Sequence, residues 1–161
     1  MRLQGSQKRN DRLIKEKRKD TYRTYTAAPE PSLCKNCGAV YMNGHWTWNE
    51  VKDGTYKTLC PACKRMEDKY PAGYIEIKGE FYNEHTNEIS NLIRNTEKLE
   101  KNERPLERIM SMKIERGRAI VTTTGIHIAR RIGEALNRSY QGLFSFQYGD
   151  GDKSIRVQWE R

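Results

Sequence analysis

Four cysteines in two matched pairs constrain this chain more than any other feature of its sequence. Cys34-Lys-Asn-Cys37 and Cys60-Pro-Ala-Cys63 each place two residues between their cysteines, 22 residues separate the pairs, and there is no further cysteine. This spacing is typical of a tetrahedral zinc site with four thiolate ligands. Two intervening residues let the chain fold back as a knuckle, and Gly38 permits the conformation that turns backbone N–H groups toward sulfur. The pattern predicts one zinc ion held by the four cysteines.

Other uses of cysteine fit the spacing less well. A thioredoxin-like site needs one C-x-x-C pair at a helix start within a β-α-β unit, and neither pair follows a strand pattern of that kind. Two disulfides would imply an oxidising compartment. An iron–sulfur cluster also takes four cysteines and remains an alternative. Because four thiolates fill the tetrahedron and leave no position for water, we expect a structural rather than a catalytic metal.

The N-terminal segment, residues 1–32, has the composition of a basic disordered arm that ends in the linker TAAPEPS. The first 33 residues hold nine basic and four acidic side chains, a net charge of +5 out of +9 for the whole chain. A basic balance favours polyanionic partners, chiefly nucleic acid. No apolar run approaches the length of a membrane span and no secretory signal is evident, so we expect a cytoplasmic protein without a membrane partner.

Residues 33–73 are expected to form a small zinc-ribbon module. Glycine and proline divide this segment into turns, and it is too short to build a large apolar core without a metal. Its aromatic residues, among them Trp46, would either pack around the metal or stack on a base.

Residues 74–161 have the periodicity of an α+β domain. YIEIKGEF, the alternating stretch from Leu106 to Ile114, RAIVTTT, LFSFQY and SIRVQW read as strands. Helices are expected near residues 84–102 and 124–140, the second with Thr124 as N-cap. The stripe from His85 through Ile89 and Ile93 to Leu99 is expected to face the core. The order predicts a ferredoxin-like split β-α-β fold, βαββαβ with one extra strand.

The second helix also carries cations, including Arg130 and Arg131, on the side opposite its apolar face. Such a stripe suits phosphate contacts. No Ser/His/Asp set, carboxylate dyad or phosphate-binding glycine loop is evident, so we expect a protein that is not an enzyme and has no small-molecule substrate. The residues predicted to contact RNA are Arg9, Arg12, Lys15, Lys17, Arg18, Lys19, Arg23, Trp46, Arg130 and Arg131.

Several strings resemble known families. EPSLCKNCGAVYMNGHWTW, LCPACKRMEDKYPAGYIEIKGEF and VTTTGIHIARRIGEAL are similar to a family of short bacterial zinc-ribbon proteins. More distantly, the cysteine pairs followed by GYIEIKG, ARRIGEALNRSYQG and IRVQW resemble the export adaptor of the large ribosomal subunit in archaea and eukaryotes. Those adaptors have more C-x-x-C pairs, later domains and an export-signal tail. The resemblance implies zinc ligation by the four cysteines and binding at the intersubunit face of the large subunit near the tRNA sites, without an export role.

These observations together predict a ribosome-associated factor that binds ribosomal RNA, in subunit biogenesis or in ribosome hibernation. Two alternatives stay open from the sequence. One is a zinc-dependent regulator that binds DNA or mRNA, although no helix-turn-helix pattern supports it. The other is a dithiol oxidoreductase that uses one C-x-x-C pair.

Overall fold

The computed structural model describes residue 22 and residues 29–51, 55–149, 151 and 153–161. The predicted RNA contacts of the basic arm, from Arg9 to Arg23, lie outside the described residues. The predicted limits of the arm and of the two modules, 1–32, 33–73 and 74–161, remain predictions.

The first part of the described chain forms a small sheet and one short helix, here called the cysteine module (residues 32–68). The elements are β1 (Ser32–Cys34), β2 (Val40–Met42), β3 (His45–Thr47), β4 (Tyr56–Thr58) and α1 (Pro61–Asp68). The strand order is β3-β2-β1-β4. Strands β1, β2 and β3 pair antiparallel, whereas β4 pairs parallel to β1. This parallel pairing brings the chain that leads into α1 beside the end of β1.

The second part, here called the α+β body (residues 73–161), contains a larger sheet and three helices. The elements are β5 (Gly73–Lys78), α2 (Glu80–Glu84), α3 (Thr86–Glu103), β6 (Ile109–Glu115), β7 (Arg118–Thr123), α4 (Ile126–Tyr140), β8 (Leu143–Gly149) and β9 (Ser154–Glu160). The strand order is β6-β7-β5-β9-β8. No helix in the part of the chain that the structure describes is long and apolar enough to cross a bilayer.

The strand order shows where the extra strand lies. Strand β7 stands between β5 and β6 and is antiparallel to both, as in a split β-α-β unit. Two strands follow α4. The last strand, β9, pairs parallel to β5, and β8 takes the edge as its antiparallel partner. The mixed α+β class is thus present, with the closing hairpin inserted so that its second strand is central.

The core of the body is apolar and lies between the sheet and the long helices. Alternate residues of β5 and β9 are fully buried, and the buried face of α4 covers them. The buried members of this cluster are Ile75, Ile77, Tyr82, Ile89, Ile93, Ala119, Val121, Ile128, Ala129, Ile132, Leu136, Ile155, Val157 and Trp159. Burial of this many large side chains is the main favourable term in folding a domain of this size.

Two sequence-based predictions for the helices are wrong. Leu99 does not face the core: it is 69% exposed, and the buried stripe of α3 ends with Ile93. Thr124 is not the N-cap of α4; that position is Gly125, which has no capping side chain. The Thr124 hydroxyl instead bonds to the backbone of Leu106 and Arg108.

A carboxylate from another loop takes over the capping role. Glu107 is buried, and its Oε2 accepts a hydrogen bond from the Ile128 N–H at 3.1 Å, in the first turn of α4. Gly125 makes room for this carboxylate, since a Cβ there would lie 2.0 Å from Glu107 Oε2. The start of α4 therefore fixes the loop that precedes β6, and this loop reaches the cysteines.

Candidate metal centre

The first cysteine pair is held by a tight turn at the end of β1. The N–H of Cys34 donates to the carbonyl of Ala39 at 2.7 Å, and the N–H of Gly38 donates to the carbonyl of Cys34 at 3.0 Å. Gly38 has a φ of +80°, a conformation that side chains with a Cβ rarely adopt. The predicted knuckle is therefore formed, and it turns Cys34 and Cys37 toward the same point.

The second pair opens helix α1. Cys60 is the N-cap residue, and its Sγ accepts a hydrogen bond from the Cys63 N–H at 3.4 Å. Pro61 occupies the first helical position, where its missing N–H costs nothing. A helix start places residues N-cap and N3 on one side, so both sulfurs point back toward β1.

The four sulfurs meet in one cluster. All lie within 4.8 Å of one another, and the Sγ atoms of Cys37 and Cys60 are 3.7 Å apart. A tetrahedral ion with Zn–S bonds of about 2.3 Å requires sulfur–sulfur separations of about 3.8 Å. A disulfide would need sulfurs about 2 Å apart, and all four thiols are free. The cluster is arranged to hold a metal ion, and the donor set and its spacing fit a four-thiolate site.

Backbone N–H groups support the cysteine sulfurs. The N–H of Cys60 donates to Sγ of Cys34 at 3.2 Å. Burial opposes ionisation of this thiol, but hydrogen bonds from the Cys60 and Cys37 backbone lower the pKa of Cys34 to about 7. Burial raises the pKa of Cys60, whose side chain is fully enclosed. A buried thiol with a raised pKa is a poor redox nucleophile, because nucleophilic attack needs an accessible thiolate.

A fifth residue, which the sequence did not predict, completes the cluster. The guanidinium of Arg108 donates from Nη2 to Sγ of Cys60 at 3.1 Å and to Sγ of Cys37 at 3.5 Å. Both Nη atoms lie 3.5 Å from Sγ of Cys63. Burial alone would lower the pKa of Arg108, yet the negative cysteines raise it, so the group stays charged. Arg108 is one of 30 basic residues and lies 45 positions after Cys63. Nothing in the sequence around it indicates a contact with the cysteines.

Beside the centre lies a cleft between the cysteine module and the body, with a volume of about 760 Å³. Trp46 and Tyr41 form one wall, with ring centroids 5.4 Å apart. Lys64 and Arg104, both exposed, lie on the module side and the body side of the cleft. Trp46 is half-buried, and it packs against the cysteine cluster while also lining the cleft. Stacking of Trp46 on a base remains a prediction.

One residue of the basic arm reaches the same cleft. The ring of Tyr22 lies 4.3 Å from Cζ of Arg65, and its hydroxyl donates to Asp68 at 2.9 Å. Tyr22 also lines the cleft. Through Tyr22, therefore, the basic arm contacts helix α1.

The predicted cationic stripe of α4 is exposed but already paired. Nε of Arg130 lies 3.0 Å from Glu134, and Nε of Arg131 lies 3.6 Å from Glu100. Phosphates would have to compete with these carboxylates. Contact of Arg130 and Arg131 with RNA remains a prediction, and neither side chain lines the cleft.

No protein-family model, curated protein or solved structure gives a significant match to this chain. The functional proposal therefore depends on the geometry of the described residues and on the resemblance noted above.

Proposed function

We propose that this protein is a non-enzymatic, ribosome-associated factor that binds ribosomal RNA, with a structural zinc ion held by its four cysteines. The cleft beside the metal centre carries this proposal. It combines a half-exposed tryptophan with cations on two sides, and it lies on a chain of net charge +9. Aromatic stacking and phosphate neutralisation are the two contributions on which proteins depend when they bind unpaired nucleotides.

Trp46 would stack on an unpaired base, while Lys64 and Arg104 would contact the flanking phosphates. The volume of about 760 Å³ lies within the usual range of ligand sites. Two acidic residues line the cleft: Glu107 is engaged in capping α4, and Glu103 is exposed beside Arg104. The basic arm, attached through Tyr22, would add phosphate contacts along the strand.

Zinc is proposed because its preferred geometry and ligands fit four thiolates at these separations. When bound, the ion would be enclosed by four protein ligands, which suits a structural role. The large ribosomal subunit is proposed as the partner from the resemblance to its export adaptor, and a ferredoxin-like body is part of the same proposal. The role would be in subunit biogenesis or in hibernation.

Sedimentation tests the partner. A native lysate from growing cells and one from stationary cells would be separated on sucrose gradients and probed for this protein. Migration with large-subunit precursors during growth supports biogenesis, and migration with mature particles in stationary cells supports hibernation. A protein that stays at the top of both gradients at low salt would contradict ribosome association.

A binding assay with purified protein tests the cleft. A fluorescent single-stranded RNA would be titrated with the wild type, with a Lys64→Gln/Arg104→Gln double variant and with a Lys113→Gln/Arg116→Gln control. The control removes the same charge from exposed positions around the β6–β7 turn. We expect the cleft variant to bind at least about tenfold more weakly and the control to change little. Equal losses in both variants would show that net charge, not the cleft, binds RNA.

A further inference from the structure

The charged guanidinium of Arg108 belongs to the α+β body, but the side chains around it are cysteines of the cysteine module. Arg108 directly precedes β6 in the body and is 5% exposed. Its three sulfur partners belong to the cysteine module, and its Nε has no hydrogen-bond partner among the described residues. The cysteine sulfurs, in their thiolate form, are therefore the groups that compensate this buried charge.

The charges of a loaded centre explain why a cation is placed there. Four thiolates around a divalent ion leave a net charge of −2 in a buried site. A buried charge is costly unless a partner compensates it. Arg108 reduces this excess by one unit and donates N–H groups to sulfur, as the outer-shell partners of metal ligands commonly do.

The position of the guanidinium is set by the body. The Arg108 N–H donates to the Thr124 hydroxyl at 2.9 Å, and the Thr124 N–H donates to the Arg108 carbonyl at 2.8 Å. The next N–H, that of Ile109, donates to the carboxylate of Glu97 at 2.8 Å. Contacts to Thr124, to α3 and, through Glu107, to α4 thus hold the loop on the side away from the cysteines.

We infer that Arg108 is a positioning residue that couples metal occupancy to docking of the cysteine module on the body. A docked module gives the metal–thiolate cluster its neutralising cation, and a loaded cluster gives the buried Arg108 its counter-charge. Each event therefore strengthens the other by the same factor, as linkage requires. This inference depends on metal binding and is independent of RNA binding.

A hydrogen bond of Trp48 also joins the two parts, and it is of a weaker kind. Nε1 of Trp48 donates to the carbonyl of Lys101 at 2.6 Å, between neutral groups at the surface. A neutral, exposed hydrogen bond does not depend on the charge of the metal centre. Leu106 of the body also packs against the cysteine cluster, but this contact is apolar. Among these contacts between the described residues, Arg108 is the charged one, so the coupling is assigned to it.

The test uses the full chain in four forms: wild type, Arg108→Gln, Arg108→Lys and Arg116→Gln. Arg116 is the matched control because it is an exposed arginine at the opposite end of β6 from Arg108. Each zinc-loaded protein would be mixed with a colorimetric chelator and the metal transfer followed. We expect Arg108→Gln to lower zinc affinity by about 10- to 100-fold, Arg108→Lys to retain part of the affinity, and Arg116→Gln to match the wild type.

A second measurement separates coupling from simple destabilisation. Hydrogen exchange would be recorded for the wild type with and without zinc. Metal removal should speed exchange of the Arg108 and Ile109 amides, which lie outside the cysteine module, while the Ile75 amide in β5 stays protected. This measurement needs no variant, so it holds even if Arg108→Gln fails to fold.

Three results would overturn the inference. One is zinc transfer from Arg108→Gln at the wild-type affinity. Another is unchanged exchange at Arg108 and Ile109 after metal removal. The third is a wild-type protein that binds no metal, and this result would also overturn the zinc proposal. The first two would leave both zinc and RNA binding intact.

Discussion

The cysteine module and the α+β body differ in how much apolar surface they bury. The body encloses fourteen buried residues in one cluster, almost all of them large and apolar. The buried cluster of the module has five members, of which three are cysteines and two are alanines. A segment with so little apolar volume cannot compensate its loss of chain entropy by burial alone. The comparison explains the grouping of the cysteines: a metal ion held by them would supply the stability that apolar burial supplies in the body.

The largest expected effect is the loss of one ligand. Cys60→Ser leaves three sulfurs while keeping an N-cap side chain for α1, so the zinc content should fall from one per chain to a small fraction through the lost ligand. Structural zinc contributes on the order of 10 kcal/mol to the folding of small modules. Metal analysis and X-ray absorption of the purified protein measure this change. In the control Ser139→Ala, at an exposed position of α4, four sulfur ligands at about 2.3 Å should persist.

The matching change in the body is a core deletion. Ile132 is fully buried on α4, so Ile132→Ala should lower the free energy of unfolding by about 2–5 kcal/mol through lost burial and a cavity. Urea unfolding followed by circular dichroism measures it. Leu99→Ala is the control, and it should change stability by less than about 0.5 kcal/mol because Leu99 is exposed. A large loss at Leu99 would restore the sequence-based assignment of that residue to the core.

A smaller effect is expected at the cap of α4. Glu107→Ala removes the acceptor of the Ile128 N–H, and we expect a loss of about 1 kcal/mol in unfolding free energy. Because the Glu107 loop also carries Arg108, zinc affinity should fall slightly in the same variant. Urea unfolding and chelator competition measure the two quantities. Unchanged stability would contradict the capping role.

The smallest effect is expected at the surface contact between the two parts. Trp48→Phe removes the hydrogen bond from Nε1 to the Lys101 carbonyl and keeps most of the ring, so the cost should be about 1 kcal/mol or less. Limited proteolysis at the loop between the module and β5 would show faster cleavage than in the wild type. A change larger than that of Glu107→Ala would mean that Trp48, rather than Arg108, holds the module in place.

Local patterns in the sequence predicted the features that depend on local chemistry. The first C-x-x-C pair, with the glycine that follows it, predicted a knuckle, and the knuckle is present. The helix that starts at Cys60, directly after strand β4, was not predicted. The alternation of Ile75 with Ile77 and of Val157 with Trp159 marks the buried strands correctly. These signals are periodic or short, so a few neighbouring residues contain them in full.

Features that depend on tertiary contacts were missed or wrong. Thr124 has the residue type and position of an N-cap, but its hydroxyl satisfies the Arg108 loop, and Glu107 caps the helix from a distance. Arg108 looks like any surface cation until the fold brings it to the sulfurs. No local pattern encodes the parallel pairing of β9 with β5, because it depends on where the closing hairpin inserts.

The most direct measurement of the difference between the two parts is hydrogen exchange across the full chain before and after zinc removal by a chelator. We expect exchange to rise throughout residues 32–68, while the amides of β5, β7 and β9 remain protected. If the amides of the cysteine module stayed protected after complete metal removal, this result would contradict the proposal that a bound metal ion, rather than an apolar core, stabilises the module.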